Sequence, residues 1–350
     1  MNVFVTGGAG YIGSICVEEL LNRDHTVAVF DNLTEGHRAA VDARATFIEG
    51  SLGDRKHIFQ AIQETKPEAV IHFAASALVG ESMTNPGKYF QNNVANGLNL
   101  LDASLEARVR KFVFSSTCAT YGPPDRIPMT EDLPQRPINP YGESKLMFEK
   151  VLKWCHEIHG LEFVAFRYFN AAGASEQFGE HHRIETHLIP NVLKVALGQA
   201  AHCEIYGTDY PTPDGTCIRD YIHIIDLAEA HILAMQPGRQ GFYNLGNGEG
   251  YSVREVIKTC ERVSGRTISA IEKPRRPGDP PRLVASAEKA MRELGWKPKH
   301  PTLEAIVASA WRWHEKHPRG YGPISTVPEG ISSKRGTGAR IRKSRAQTAA

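Results

Sequence analysis

No run of apolar residues in this 350-residue chain approaches the ~20 that a membrane-spanning helix needs, so no membrane partner is expected. Cysteine is sparse and scattered. Cys16, Cys118, Cys155, Cys203, Cys217 and Cys260 include no CxxC pair and no grouping with histidine at metal-ligand spacing. That excludes a disulfide framework, and no metal site is expected. Net charge is also missing: Lys plus Arg at 41 nearly balance Asp plus Glu at 39, which leaves no field to suggest nucleic acid as a partner. The amino terminus MNVFVTGG enters a strand at once, without a basic leader, and a reducing, cytoplasmic setting is the expectation. Only the far end departs from this balance. From Lys334 the chain reads KRGTGARIRKSRAQTAA, with six basic residues and no acidic one, so residues 322–350 are expected to form a disordered tail.

What the sequence does contain is a regular alternation. Over residues 1–170, short apolar runs rich in β-branched residues alternate with longer segments of helical period, the pattern of parallel strands joined by crossover helices. Strands are expected at 2–6, 26–30, 46–49, 69–73, 111–115 and 162–168, and helices at 11–23, 56–65, 86–108 and 141–159. The fold class is therefore α/β, a doubly wound parallel (Rossmann) sheet. After Asn170 the alternation breaks into shorter pieces punctuated by Gly and Pro, such as GTDYPTPDGT, which reads as a smaller α/β lobe over 171–321, with some segments free to rejoin the sheet. Helices are expected there at 187–197, 225–235, 252–264, 287–294 and 303–317, with Ser252 and Ser286 as caps.

Directly after the first strand comes GGAGYIG, which places Gly7, Gly10 and Gly13 where a strand must turn sharply into a helix. Small residues there let backbone amides approach a pyrophosphate at the helix N-terminus. The second strand ends in Asp31, whose carboxylate can accept hydrogen bonds from ribose hydroxyls. A 2′-phosphate would meet that carboxylate with no adjacent arginine, the nearest being Arg38, so NAD is favoured over NADP. Further along, PYGESK sets Tyr141 and Lys145 four apart on one helix face. A tyrosine is a poor base at neutral pH, but a neighbouring ammonium and a positive nicotinamide favour its phenolate, making it able to take a hydroxyl proton.

With its G-x-x-G-x-x-G spacing and Y-x-x-x-K pair, the chain resembles the extended short-chain dehydrogenase/reductase family, nearest to its nucleotide-sugar 4-epimerases. The resemblance runs to about Tyr321 through TGGAGYIGS, DNL, VIHFAA, VGES, SSTCATYG, PYGESK, RYFNAAG, ETHLIP, DGTCIRDYIH, YNLG and RRPGD. It implies a catalytic set of Tyr141, Lys145 and Thr117. NAD would be held by Gly7, Gly10, Tyr11, Ile12, Gly13, Asp31, Asn32, Ser51, Leu52, Phe73, Ala74, Ala75, Asn92, Ser115, Tyr141, Lys145, Tyr168 and Phe169. A UDP-sugar would be met by Ser116, Thr117, Tyr141, Asn170, His187, Leu188, Ile205, Tyr206, Arg219, Arg276, Asp279 and Leu283. Dehydratases of the family carry an Asp-Glu pair after the threonine, where this chain has Cys118 and Ala119. The implied reaction is thus reversible C4 oxidation of a UDP-hexose, in a homodimer built from the helices after the fourth and fifth strands.

Three positions depart from the family pattern: Ala77 stands where a lysine contacts the cofactor, Ser51 where an aspartate meets the adenine, and Leu283 where tyrosine is common. The smaller Leu283 leaves room for a 2-acetamido group, so UDP-N-acetylglucosamine is a candidate second substrate. Two other readings stand beside the epimerase: a related nucleotide-sugar decarboxylase or uronate epimerase, and a non-catalytic NAD-binding regulator.

Overall fold

The computed structural model describes residues 1–276 and 278–322; the basic segment from Lys334 lies outside them. Six strands alternate with helices through the first half: β1 (Asn2–Thr6), β2 (Thr26–Asp31), β3 (Thr46–Glu49), β4 (Ala69–His72), β5 (Lys111–Thr117) and β6 (Glu162–Tyr168). The helices are α1 (Tyr11–Leu21), α2 (Arg55–Thr65), the single turns α3 (Val79–Ser82) and α4 (Pro86–Tyr89), α5 (Asn96–Glu106) and α6 (Pro140–His159). Beyond them follow β7 (Asn170–Ala172), α7 (Leu188–Ala196), β8 (Cys203–Tyr206), β9 (Ile218–His223), α8 (Ile224–Ala234), β10 (Gly241–Leu245), β11 (Gly250–Ser252), α9 (Val253–Ser264), β12 (Ala270–Lys273), β13 (Arg282–Leu283), α10 (Glu288–Leu294) and α11 (Leu303–Lys316).

The main sheet has seven strands in the order β10-β6-β5-β4-β1-β2-β3, and every pairing is parallel. Alternation along each strand divides the core between its faces. Val3, Val5, Val27, Val29, Ile71 and Val164 pack with α1 and α8, while Phe4, Phe30, Val70, Phe112 and Phe114 pack with Ile58, Leu100 and Phe148 from α2, α5 and α6. The segment after residue 170 thus returns to the sheet, supplying both β10 and α8. The rest forms a smaller lobe around α7, α9 and α11, with Val192, Ile205, Val256, Ile306 and Trp311 at its centre.

Two local expectations need correction. The helix expected over 86–108 is interrupted by a π-helical stretch, Phe90–Ala95, whose wider turn lets both Asn92 and Asn93 reach Ser76. Ser252 caps α9 in a reciprocal capping box with Glu255, but Ser286 caps nothing: α10 starts at Glu288 with Ala287 at the cap position, and the Ser286 amide is spent on the Met129 carbonyl.

All six cysteines are unpaired, and no described helix is long and apolar enough to cross a membrane. Three histidines are buried as neutral rings. Burial pulls His72 and His223 down to about 3 and His231 to about 4. Each is therefore uncharged in the folded protein where the unfolded chain, with an imidazole near 6.5, takes up a proton. Their contribution to stability is present above about pH 6.5 and is lost as pH falls toward the folded values. Between pH 7 and 5 each should cost roughly 2 kcal/mol of unfolding free energy. The urea midpoint should accordingly drop over that interval, and His231→Leu should shrink the drop by about that amount; an unchanged pH dependence in the variant would contradict the assignment.

Candidate active site

The turn from β1 into α1 is built so that only glycine fits. Gly7 has φ +73°, and a Cβ there would sit 2.6 Å from the Ala74 amide nitrogen; one on Gly13 would lie 2.1 Å from the Gly7 carbonyl oxygen. Gly10 is the N-cap residue of α1, no side chain caps that helix, and its first turn carries no acid. An uncapped N-terminus at the carboxyl rim of a parallel sheet suits an anionic pyrophosphate. Beside it, the Asp31 carboxylate accepts the Ala9 amide at 3.0 Å and the Leu33 amide at 2.8 Å. Those bonds aim the carboxylate at the rim and leave it lone pairs for ribose hydroxyls. Burial raises its pKa, while the two amides act to lower it. These residues fit a dinucleotide with a free 2′-hydroxyl.

The other expected cofactor residues fall into two groups. Phe73, Ala74 and Ala75 follow β4 at the same rim and are part-exposed; Asn92 donates to Ser76 at 3.2 Å, and Leu52 is buried. Tyr11, by contrast, turns its hydroxyl away to the Gly173 carbonyl at 2.7 Å, so only its backbone faces the turn, and Ile12 packs into the core. Asn32 and Ser51 spend their side chains on their own loops, accepting from the Thr34 and Gly53 amides. Ala77 is exposed.

β5, β6 and α6 assemble the reactive end. The N-cap Asn139 accepts the Gly142 amide at 2.8 Å, starting α6 so that Tyr141 sits in its first turn above the end of β5. The Thr117 hydroxyl, at the last residue of β5, faces the Tyr141 oxygen and acts to lower its pKa, but burial dominates and pushes the phenol up to about 12. Lys145 is buried, donates to the Ser115 carbonyl at 2.7 Å and lies 4.8 Å over the Phe114 ring. Burial brings its ammonium down to about 7, against the charge of Glu149. The expectation is that the Lys145 ammonium and a positive nicotinamide together favour the phenolate; in the free protein desolvation dominates and favours the protonated phenol. Ser115 bonds the Tyr168 hydroxyl, and Ser116 turns into the interior to donate to Glu149. Phe169 is buried against Tyr121 and Met129. Immediately after Thr117, burial pushes the Cys118 thiol up to about 12, which leaves no acid or base at that place for expelling water.

On the smaller lobe, Arg219 pairs with Asp279, and Arg276 stacks 4.0 Å over the Tyr206 ring. Ile205 precedes Tyr206 on β8 and is buried. Asn170 donates to the Asp220 carbonyl at 2.8 Å. Leu283 pairs in register with Arg219 and packs on the Tyr121–Phe169 cluster beside Cys118, so it stands between the reactive end and the arginines. His187 precedes α7, and its imidazole is held by Glu180 and Glu185, each at 2.9 Å; Leu188 packs into the lobe's core.

Sequence reading missed Glu149. It forms a buried ion pair with Arg167 at 2.7 Å one turn beyond Lys145, and only its i+4 spacing from that lysine could have signalled it. A cavity of about 900 Å³ opens at the opposite end of the strands, around Met1, Lys111 and Glu162, away from every residue of this site.

The family model for the NAD dependent epimerase/dehydratase family matches residues 3–246. The chain is 52% identical over 327 residues to the UDP-glucose 4-epimerase of Halalkalibacterium halodurans, covering 92% of this chain and 98% of that one. Its structure resembles that of the Bifidobacterium longum UDP-glucose 4-epimerase in complex with NAD⁺ and UDP, with TM-score 0.87 and 40% identity over 91% of this chain and all of that one. The UDP-Glc/GlcNAc 4-epimerase of Campylobacter jejuni matches with TM-score 0.79 and 40% identity over 90% of this chain and 99% of that one. With a glycine turn, an acidic strand end and a Thr–Tyr–Lys set all at one rim, this chain belongs to the NAD dependent epimerase/dehydratase family.

Proposed function

We propose that the chain inverts C4 of a UDP-hexose, interconverting UDP-glucose and UDP-galactose, and that Tyr141 moves the proton. The observation that carries this reading is the meeting of Thr117, Tyr141 and Lys145 at the ends of β5 and α6, beside the glycine turn. NAD would be held at that turn by Gly7, Gly10, Gly13 and Asp31, and would supply a hydride acceptor and donor for C4. Tyr141 takes the proton of the 4-hydroxyl and gives it back once the sugar has turned its other face. Thr117 bridges the same oxygen. Lys145, fixed on the Ser115 carbonyl, provides an ammonium whose low pKa lets it exchange protons near neutrality. Burial favours the protonated phenol in the free protein, and a positive charge held beside it would favour the phenolate.

The Arg219, Arg276 and Asp279 group suits a UDP moiety: guanidinium forks for the diphosphate and a carboxylate for a ribose hydroxyl. The backbone at His187 and Leu188, with Ile205 and Tyr206, lines the uracil side. Holding the nucleotide firmly leaves the hexose free to turn. A decarboxylase or uronate epimerase is not favoured, and a silent NAD sensor would have no use for the Thr117–Tyr141–Lys145 set. Six unpaired thiols fit a reducing, cytoplasmic setting. A second copy of the chain is the fitting partner for α6, whose Met147, Trp154 and Ile158 stand 40%, 61% and 67% exposed on one face.

Tyr141→Phe should lower UDP-galactose turnover by at least about 100-fold while the purified variant still releases nicotinamide on denaturation; retained activity would remove the phenol from the mechanism. Leu283→Tyr should cut turnover of UDP-N-acetylglucosamine about 10-fold or more relative to UDP-glucose, and equal effects on both sugars would deny that position a role in selectivity. In sedimentation, the parent should run as a dimer and Trp154→Glu with Ile158→Asp as a monomer; a monomeric parent defeats the α6 interface.

A further inference from the structure

Between β7 and α7 the chain reads GEHHRIETH, and it folds four potential ligands together. One ligand atom from each of Glu180, His182, Glu185 and His187 lies within 4.8 Å of every other. Glu180 is 5% exposed, and its Oε1 faces His187 Nδ1 at 2.9 Å and the buried His182 Nε2 at 3.2 Å, but the contact with His182 has no aligned hydrogen bond. Two polar atoms in contact without an aligned proton between them are in an unfavourable arrangement. A cation placed among them removes that conflict. Once His187 gives up the proton that its two carboxylates favour, two carboxylates and two neutral imidazoles carry a charge of −2, which one divalent ion cancels.

We propose that Glu180, His182, Glu185 and His187 bind a divalent transition-metal ion of the zinc class. The donor set is two imidazole nitrogens and two carboxylate oxygens, which suits a tetrahedral ion better than the all-oxygen shell that calcium or magnesium takes. The observed spacings also fit: 2.9 Å from His187 Nδ1 to both Glu180 and Glu185, and 3.2 Å from His182 to Glu180. Ligands about 2 Å from a tetrahedral centre stand roughly 3.3 Å apart, so small side-chain movements complete the shell. With no ion bound, a proton on His187 bridges its two carboxylates.

The role is structural. The Tyr11 hydroxyl holds Gly173 at one end of this segment, and the Tyr11 ring stands edge-on to His182. Within the segment Arg183 donates to the Leu33 carbonyl, and the His181 carbonyl meets His37. The ion would lock the segment that joins the cofactor loop after Asp31 to the N-terminus of α7. His187 would bind it through its imidazole and keep its backbone for the nucleotide side. No cysteine belongs to this cluster, which is built of histidine and glutamate alone.

The test uses tag-free, chelator-treated full-length protein with its nicotinamide cofactor retained, titrated with Zn²⁺ by calorimetry and with Co²⁺ by visible absorption. One ion per chain, an intense tetrahedral Co²⁺ spectrum and a raised thermal midpoint are expected. Glu180→Gln and His182→Gln should each weaken binding at least about 100-fold. Circular dichroism and cofactor retention report on folding, and the part-exposed His182 serves as the readout if Glu180→Gln fails to fold. Absence of stoichiometric binding, or unchanged binding in a folded His182→Gln protein, overturns the site; the latter places the ion elsewhere, for instance at the stacked His37 and His181.

Discussion

The ion pair between Glu149 and Arg167 fixes where α6 stands against β6. Both side chains are almost wholly buried, at 1% and 4% exposure, and Arg167 meets Glu149 in a fork. Removing such a pair's partner leaves an uncompensated buried charge, so the contact holds α6 to β6 rigidly. The network also spreads sideways. Ser116 donates to Glu149 from β5, Arg167 donates to the Tyr121 hydroxyl, and Tyr121 donates to Asn244 on β10. Helix, three strands and the segment after β5 are thereby set in one register, and Tyr141 and Thr117 meet as a consequence.

Burial at that meeting point has opposite effects on its two titratable groups. It raises the phenol and lowers the ammonium, because each moves toward its neutral form when water is removed. The phenol is thereby protonated at neutral pH, while the Lys145 ammonium titrates close to neutrality. The Ser115 carbonyl and the Phe114 ring stabilise whatever charge Lys145 carries without offering it a counter-ion, and Glu149 is held by Arg167 instead. In the free protein burial thus favours the protonated phenol and the neutral amine, and a positive charge beside the phenol would favour its phenolate.

The parts of this arrangement that were legible in the sequence are those set by local chemistry. Gly7 and Gly13 must be glycine wherever that turn is made, Asp31 ends an apolar strand, and runs such as FVF and FVAF announce strands covered on both faces. β10 was not legible as part of the sheet. Its five residues follow a Gly- and Pro-rich stretch, and their place beside β6 is decided by pairing across more than seventy residues. Nor could spacing show that Asn92 and Asn93 both reach Ser76, since a π-helical stretch shifts the phase of that helix. For the Tyr141–Lys145 pair, sequence shows a neighbouring ammonium but not the water removed from around it, so spacing alone does not convey how burial shifts both groups.

The two lobes meet through the residues that flank the cofactor turn. Tyr11 stands between Gly10 and Gly13 and donates to the Gly173 carbonyl; the Leu33 carbonyl, two residues after Asp31, accepts from Arg183; His37 reaches the His181 carbonyl. All three contacts run from the dinucleotide side of the cleft to a single segment that leads to His187 and α7. The orientation of the smaller lobe and the shape of the cofactor loop are therefore set together, so that a change in the loop after β2 alters the seat of α7, and the reverse holds. For a reaction that removes and returns hydride at one carbon, this coupling favours a cofactor held as a fixed part of the cleft, with movement confined to the sugar.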